Sequence, residues 1–395
     1  MDNTRLFTPM RLGTATLKHR TVMAPLTRYR CDDNWIPLSM VKEYYLQRAC
    51  VPGTLLITEA TIVSPSHAGR LNVPGIWSAA QIAAWKEITD AVHAKGCQIW
   101  CQLWAQGRAG LVHALEVAKE KAGGKGRLMS SSAVPLTAEG SPMPTTMALG
   151  EIEETIEDYA SAARNAIEAG FDGCEIHGGN GYLPDQFLQT TCNKRLDRWG
   201  GSIENRSRFH LAVANAIVSA IGAERTAIRL SPWSDYLDML MPVPETIATF
   251  THVVAELAKL KLAYLSLIEA RITGNDDTSV SAGQDVSGFV KTWASVCPSS
   301  PVLISGGFSP KTAREAVDVT YKDYDVGIVF GRHFVSNPDL VYRVQHGIPL
   351  ERYDRGVFYT PGLKEGYINY AFSKQYLEEA ERQQWLEDVR ATCTA

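Results

Sequence analysis

The stretch Gly170-Phe171-Asp172-Gly173-Cys174-Glu175-Ile176-His177-Gly178-Gly179-Asn180-Gly181-Tyr182 decides the interpretation of the chain. Its first half is short and apolar, which predicts a buried strand. Glycines then end the strand and allow a tight turn. The turn brings an imidazole, a carboxamide and a phenol together, and such a set can hold a polarised oxygen and supply a proton beside it. A turn with a capping Asn, a structural His and a packing Tyr explains the same residues equally well.

Seven other apolar segments alternate with stretches of helical spacing on either side of this strand. The eight predicted strands cover residues 21–26, 54–58, 97–104, 170–176, 226–231, 262–268, 301–305 and 325–330. Alternating strands and helices indicate an α/β protein with a parallel sheet. Eight such units without a change of composition favour a closed (β/α)8 TIM barrel. The alternative, a doubly wound sheet, normally carries a Gly-x-Gly-x-x-Gly fingerprint after its first strand, and residues 21–28 lead into none.

The remaining segments complete a single predicted domain over residues 1–395. A small hairpin over 6–20 turns at Gly13, and the helices are predicted at 38–51, 78–95, 152–169, 202–222, 244–260, 285–297 and 310–319, with a helical end to the tail. Ser78 is the expected N-cap of the second helix. Long excursions follow the third strand (105–150) and the sixth (269–284), and a polar loop follows Tyr182. Loops of such length are often functional.

Composition excludes several classes of function. The net charge of -4 gives no electrostatic footprint for nucleic acid or an anionic membrane surface. No apolar run is long enough to cross a bilayer, and the N-terminus lacks a signal core, so a cytoplasmic location is expected. The eight cysteines include no Cys-x-x-Cys pair and are expected to be reduced. No spacing of His, Asp or Glu predicts a metal site.

Polar side chains gather where the predicted strands end, which is the active-site face of a TIM barrel. They are Thr27, Gln102, Trp104, His177, Asn180, Tyr182, Arg229, Ser305 and Arg332. Glu175 and Arg229 lie within strands, so each charge needs a partner or a ligand. A mutual buried ion pair is one interpretation and a functional role is the other.

Glycines after the last two strands predict an anion site. Gly306-Gly307 follows the seventh strand and Gly331-Arg332 follows the eighth. These two loops commonly bind phosphate in this fold through backbone N–H groups, here with a guanidinium. The alternative is a pair of glycine turns with a surface arginine.

In these motifs the chain resembles the old yellow enzymes, FMN-dependent ene-reductases built on a (β/α)8 barrel. The resemblance runs from Leu6 to about Tyr370. Within the family, the chain is most similar to a fungal branch that includes chanoclavine aldehyde oxidoreductases. Its markers are 23–28, Gln102-Leu103-Trp104, 177–182, 193–206, Arg229-Leu230-Ser231-Pro232, Gly331-Arg332 and 336–340.

The resemblance implies a role for each rim residue. Pro25, Thr27, Ala60 and Gln102 would border the flavin ring, Arg229 would stabilise negative charge on the reduced flavin, and Gly306, Gly307, Gly331 and Arg332 would hold the FMN phosphate. His177 and Asn180 would bind the carbonyl oxygen of an α,β-unsaturated substrate. Tyr182 would protonate the α-carbon as hydride from flavin N5 reaches the β-carbon. Trp104 and Tyr359 would line the substrate site, and NADPH or NADH would reduce the flavin.

The chain also departs from the family pattern. Ala60 stands where Gly is frequent, Gly179 replaces a common Ala or Ser, Gly307 replaces a common Asn, and Pro184 is an unusual neighbour that could shift the Tyr182 phenol. Some members of the branch lack the tyrosine and isomerise their substrate, so the presence of Tyr182 predicts reduction. A flavin-dependent isomerase or desaturase and a non-catalytic barrel are the alternatives. The choice of nicotinamide, with Arg271 as a candidate for a 2′-phosphate, and that between monomer and homodimer stay open.

Overall fold

The computed structural model of the protein describes residues 4–273, 276–279 and 284–393. Eight parallel strands form its centre: β1 Thr21–Met23, β2 Leu55–Ile57, β3 Gln98–Trp104, β4 Gly173–His177, β5 Thr226–Leu230, β6 Tyr264–Ile268, β7 Val302–Ser305 and β8 Val326–Phe330. Neighbours in sequence pair in order, β8 pairs with β1, and the sheet is therefore a closed barrel. The predicted (β/α)8 fold is confirmed.

Twelve α-helices accompany the strands. They are α1 Ser39–Arg48, α2 Ala79–Ala94, α3 Val112–Ala122, α4 Leu149–Glu168, α5 Leu183–Leu188, α6 Ile203–Ile221, α7 Val243–Ala258, α8 Ser287–Val296, α9 Pro310–Glu315, α10 Arg332–Ser336, α11 Leu340–His346 and α12 Lys374–Cys393 among the described residues. Ser78 is the N-cap of α2, where its hydroxyl and Gln81 form a reciprocal capping box. No helix in the described ranges is long and apolar enough to cross a membrane.

The hydrophobic core of the described residues has two main clusters and a third, smaller one around Trp35 and Trp104. Apolar strand residues and the inner faces of the helices form the larger layer outside the barrel. The smaller of the two main clusters lies within the barrel, where hairpin residues such as Met10 and Leu17 pack against Trp100 and Tyr264. Strand 10–12 of the predicted hairpin pairs with strand 15–17, and its turn at Gly13 packs on Glu224 and Ala263, just before β5 and β6. The hairpin therefore covers the N-terminal end of the barrel and leaves the C-terminal end for the site.

Three predicted loops contain regular structure. The excursion 105–150 holds α3 and a short parallel pair between Met129–Ser130 and Thr145–Thr146. The second excursion contains an antiparallel pair, Ile272–Thr273 with Asp276–Asp277, while residues 274–275 and 280–283 lie outside the described residues. The prediction of a polar loop after Tyr182 is wrong for its first residues, because residues 183–188 form α5 and all six side chains are buried.

Candidate active site

A cavity of about 760 Å³ opens at the C-terminal ends of the barrel strands. Every residue predicted for the flavin or the substrate lines it: Pro25, Thr27, Ala60, Gln102, Trp104, His177, Asn180, Tyr182, Arg229, Gly306, Gly307, Gly331, Arg332 and Tyr359. Its volume lies within the range of small-molecule and cofactor sites. The structure thus brings the predicted residues together from eight different strand ends or loops, while the role of each stays a prediction.

His177 is the last residue of β4 and lies opposite Arg229 of β5 in the sheet register. Its side chain is buried, and Nδ1 has no hydrogen-bond partner among the described residues. Burial, with a smaller contribution from the positive charge of Arg229, lowers the pKa of His177 to about 3. The imidazole is therefore neutral near pH 7, with one ring N–H that can donate to a ligand.

Two hydrogen bonds fix the turn after His177. Asn180 has a left-handed backbone with φ of 54°, and its N–H donates to Ser231 Oγ at 2.6 Å. The Gly181 N–H donates to the buried carboxylate of Asp185 at 2.9 Å. Because left-handed backbone is unfavourable for a residue with a side chain, these hydrogen bonds hold Asn180 in a conformation that it would otherwise leave.

Tyr182 lies at the wall of the cavity between two rings. Its ring packs edge-to-face on Trp104 at 5.0 Å and on His177 at 4.8 Å between centroids. Burial raises the pKa of the Tyr182 phenol well above its usual value, so the phenol keeps its proton at neutral pH. Pro184 occupies the first turn of α5, where a missing N–H costs no helical hydrogen bond. The unusual proline is thus compatible with a phenol in the cavity.

Buried polar groups form the floor of the cavity. Gln102 Nε2 donates to Glu175 Oε1 at 2.7 Å, and Arg229 Nη2 donates to Ser305 Oγ at 3.0 Å. Burial raises the pKa of Glu175, against the opposing attraction of Arg229. Glu175 and Arg229 therefore form hydrogen bonds to Gln102 and Ser305, and not to each other as in a mutual ion pair. Within the described ranges Arg229 Nη1 has no acceptor although it is buried, which leaves one cationic donor for a ligand.

The predicted phosphate loops lie at one end of the cavity. Gly307 has φ of 67°, and a Cβ at Gly306 would lie 2.7 Å from Glu269 Cβ, so the backbone requires small residues here. Arg332 donates two hydrogen bonds to Asp277, at 2.5 and 3.0 Å. Asp277 belongs to the second excursion, and no sequence pattern predicted this pair.

Sequence reasoning missed several residues of the cavity wall. Tyr29, Arg70, Tyr236, Tyr353 and Phe358 all line it. They lie in loops far apart in sequence, and no motif marked them.

Arg271, the candidate for a nicotinamide 2′-phosphate, lines a separate cavity of about 340 Å³. It pairs with Glu269 at 2.6 Å and lies over the Phe308 ring. An arginine already engaged in this way is a poor candidate for the phosphate.

The site fits FMN, the cofactor that the resemblance implied. The unpartnered Arg229 nitrogen would face the negative charge of a reduced flavin, and the glycine pair with Arg332 would hold the phosphate. Gly307 lacks the amide of a common Asn, so its contribution is limited to backbone.

Fungal enzymes are similar to the chain over nearly its whole length. An NADP-dependent oxidoreductase of Aspergillus flavus, lnbE, is 52% identical over 380 residues, which cover 95% of this chain and 98% of that protein. A chanoclavine-I aldehyde reductase of Penicillium roqueforti, fgaOx3, is 50% identical and covers 96% and 99%. Other relatives, such as an Epichloe festucae protein at 46% identity, bear the name probable inactive reductase.

Solved structures show the same fold. Morphinone reductase superposes with a TM-score of 0.82 at 36% identity, over 94% of this chain and 97% of that one. A model of the NADH:flavin oxidoreductase / NADH oxidase family matches residues 5–351. These findings confirm the predicted oxidoreductase class, with FMN as cofactor and a nicotinamide as reductant. The chain therefore belongs to the NADH:flavin oxidoreductase / NADH oxidase family, the old yellow enzymes.

Proposed function

We propose that the protein is an ene-reductase that uses NADPH or NADH to reduce the C=C bond of α,β-unsaturated carbonyl compounds. One observation carries the proposal: His177, Asn180 and Tyr182 share one cavity with the flavin-directed residues Gln102 and Arg229. Two hydrogen-bond donors and one proton donor beside a hydride source are what addition of H₂ across a polarised alkene requires.

The first task of the chain's own residues is to bind the carbonyl oxygen. A neutral His177 and the Asn180 amide each offer an N–H to that oxygen. Negative charge grows on the oxygen as hydride adds to the β-carbon, so these hydrogen bonds strengthen in the transition state. The hydrogen bond from the backbone N–H of Asn180 to Ser231 holds the turn that carries this amide, which supports the proposed role.

The second task is to deliver a proton to the α-carbon. Tyr182 keeps its proton until the reaction needs it, because burial raises its pKa. When bound, FMN supplies the hydride that it has taken from the nicotinamide. Hydride on the β-carbon and the phenolic proton on the α-carbon together saturate the bond, and solvent returns a proton to Tyr182.

The aldehyde reductases among the relatives support an aldehyde-bearing alkene as substrate. Two outcomes oppose reduction: isomerisation without consumption of nicotinamide, and the inactivity that some relatives' names suggest. The presence of Tyr182 favours reduction over isomerisation and over inactivity, because only net reduction requires a proton donor of this kind beside the substrate.

Product analysis tests the proposal. The FMN-loaded protein is incubated with a panel of enals and enones, with NADPH, with NADH and without either. We expect a saturated carbonyl product and one nicotinamide oxidised per product. An allylic alcohol, a rearranged alkene formed without nicotinamide, or no turnover by the flavin-loaded protein would each contradict the proposal.

Two further points complete the proposal. We infer that the whole chain folds as one barrel domain, since the two main core clusters each draw on strands from its two halves. A cytosolic location is consistent with the free thiols of the seven cysteines at positions 31, 50, 97, 101, 174, 192 and 297.

A further inference from the structure

Arg70 stands in the cavity wall without an assigned role. It lies in the loop after β2, is partly exposed, and lines the cavity together with Tyr29, Tyr182 and Tyr236. The predicted flavin and carbonyl contacts use other residues. Because Arg70 and the predicted proton donor Tyr182 line the same cavity, the positive charge of Arg70 acts on any ligand bound there. The neighbours of Arg70 show which kind of ligand this charge could bind.

The backbone of Arg70 is rigidly placed. The Trp35 indole N–H donates to the Arg70 carbonyl at 2.7 Å. The preceding residue, Gly69, packs so closely on the loop after β3 that a Cβ would lie 2.6 Å from Gly110 Cα, and its carbonyl accepts a hydrogen bond from Leu111 at 2.8 Å. The backbone that carries the Arg70 side chain is therefore already in place before a ligand binds.

The charges of the cavity leave Arg70 without a counterion. Five arginines and one aspartate line the wall. The aspartate, Asp277, lies beside Arg332 and Arg355 at the phosphate end. Among the described residues the guanidinium of Arg70 makes one long hydrogen bond, 3.4 Å to the Ala109 carbonyl, and no ion pair.

The remaining arginines of the wall have other surroundings. Arg229 donates to Ser305 on the floor, and Arg28 donates to the carbonyls of Phe358 and Gly366. A bound FMN phosphate brings about two negative charges, at the end of the cavity where Arg332 lies. The positive charge of Arg70 is therefore available to an anion other than the FMN phosphate.

Two phenols of the same cavity wall lie within electrostatic reach of Arg70. Burial raises the pKa of Tyr29, and the positive charge of Arg70 opposes that shift. The same opposition acts on Tyr182, so Arg70 is close enough to be felt by both rings. A planar guanidinium with phenolic O–H groups beside it suits a carboxylate or phosphate oxygen, because the fork of N–H groups can bind two oxygens at once.

We propose that Arg70, which lines the cavity together with Tyr29 and Tyr236, binds an oxyanion carried by a small molecule that enters the cavity, and that this group is a carboxylate on the alkene substrate. The proposal rests on the proposed ene-reductase function and narrows its substrate class to acidic enals or enones. The phosphate of NADPH is the other source of the same chemistry, and the experiment separates the two.

The experiment compares matched substrates in Arg70→Gln, Arg70→Lys and the parent protein. The pair is an enal with a carboxylate on a distal phenyl ring and the methyl ester of the same enal, each assayed with NADPH and with NADH. Loss of a charge-assisted hydrogen-bonded pair, about 1.5–3 kcal/mol, lowers kcat/KM roughly 10- to 150-fold. We expect that loss for the acid in Arg70→Gln, less than twofold for the ester, and partial recovery in Arg70→Lys.

Controls separate the possible failures. Arg164→Gln removes a surface arginine that pairs with Glu157 on α4, and it should leave kcat/KM unchanged for both the acid and the ester. FMN content and thermal unfolding verify that each variant is folded and loaded. If the parent reduces neither compound nor any simple enone, the ene-reductase proposal fails first.

If the parent is active, the ratio of kcat/KM for the acid to kcat/KM for the ester tests the carboxylate site. A ratio that Arg70→Gln leaves unchanged overturns the carboxylate site. Equal losses on both compounds would overturn it too, because Arg70 would then act on the reaction step. A loss confined to NADPH would overturn the carboxylate and assign the oxyanion to the nicotinamide.

Discussion

Gly179→Ala tests how the carbonyl-binding turn is built. The family pattern favours Ala or Ser at this position, yet here a Cβ would lie 2.5 Å from Ser231 Oγ and 2.7 Å from Ser231 N. The second atom is backbone at the end of β5 and cannot rotate away. The turn must therefore move, and with it the Asn180 amide.

The magnitude follows from the two contacts that change. Overpacking a filled site costs about 1–3 kcal/mol. Movement away from Ser231 also weakens the 2.6 Å hydrogen bond from Asn180 N–H, worth about 0.5–1.5 kcal/mol. We expect a loss of about 1.5–4.5 kcal/mol in the free energy of unfolding. Because removal of one oxyanion donor costs about 10²–10³ in rate, a displaced donor should lower kcat/KM roughly 10- to 100-fold.

Urea unfolding and steady-state reduction of an enal measure both effects. Gly150→Ala is the matched control, since a Cβ at Gly150 meets nothing within 4 Å and the residue lies in the first turn of α4. A Gly179→Ala protein with the stability and kcat/KM of the parent would refute the reasoning, because the turn would then have room that the structure denies.

Three other predictions concern the proton donor, the cofactor and pH. Tyr182→Phe keeps both ring contacts but removes the proton, so alkene reduction should fall about 10²- to 10⁴-fold while reduction of the flavin by nicotinamide, measured by stopped flow, is unchanged; equal rates would exclude Tyr182 as the donor. Arg332→Gln should weaken FMN binding to the apoprotein about 10- to 100-fold in a fluorescence titration, whereas Asp277→Asn, which removes the paired carboxylate, should strengthen it; unaltered affinity in Arg332→Gln would contradict the phosphate site. Burial lowers the pKa of His19 to about 4, so below pH 6.5 the unfolded chain gains a proton that the folded protein refuses, and stability is lost as pH falls from 6.5 towards 4. His19→Gln should remove this penalty and gain up to about 1.4 kcal/mol per pH unit relative to the parent across that window in urea titrations; a constant difference between the two proteins would refute it.

The sequence predicted the barrel because its signals are local. Each strand reads as an apolar run bounded by turn residues, and Ser78 marks the start of α2 without reference to any distant residue. The same holds for His177, Asn180 and Tyr182, which occupy one turn. Strand ends were less certain: the first strand stops at Met23, since Pro25 has no N–H for a ladder bond.

Long-range contacts limited the prediction elsewhere. The helix α5 was missed because it is only six residues long and includes a proline and two polar residues, and because the burial of its side chains depends on α6 and the excursion after β3. Gln186 illustrates this: it donates to Gln106 and Gly181 and accepts from Ser130, none of which its own segment reveals.

By itself the sequence determined a barrel of eight strand–helix units and the strand ends that carry its polar residues, because periodicity and turn chemistry act over a few neighbouring residues. Only the tertiary structure decided that Ser231 fills the space beside Gly179, that Asp277 holds Arg332, and that Arg70 faces the cavity. Those contacts join residues 50 or more positions apart or place a loop against a distant wall, and they exist only once the barrel has closed.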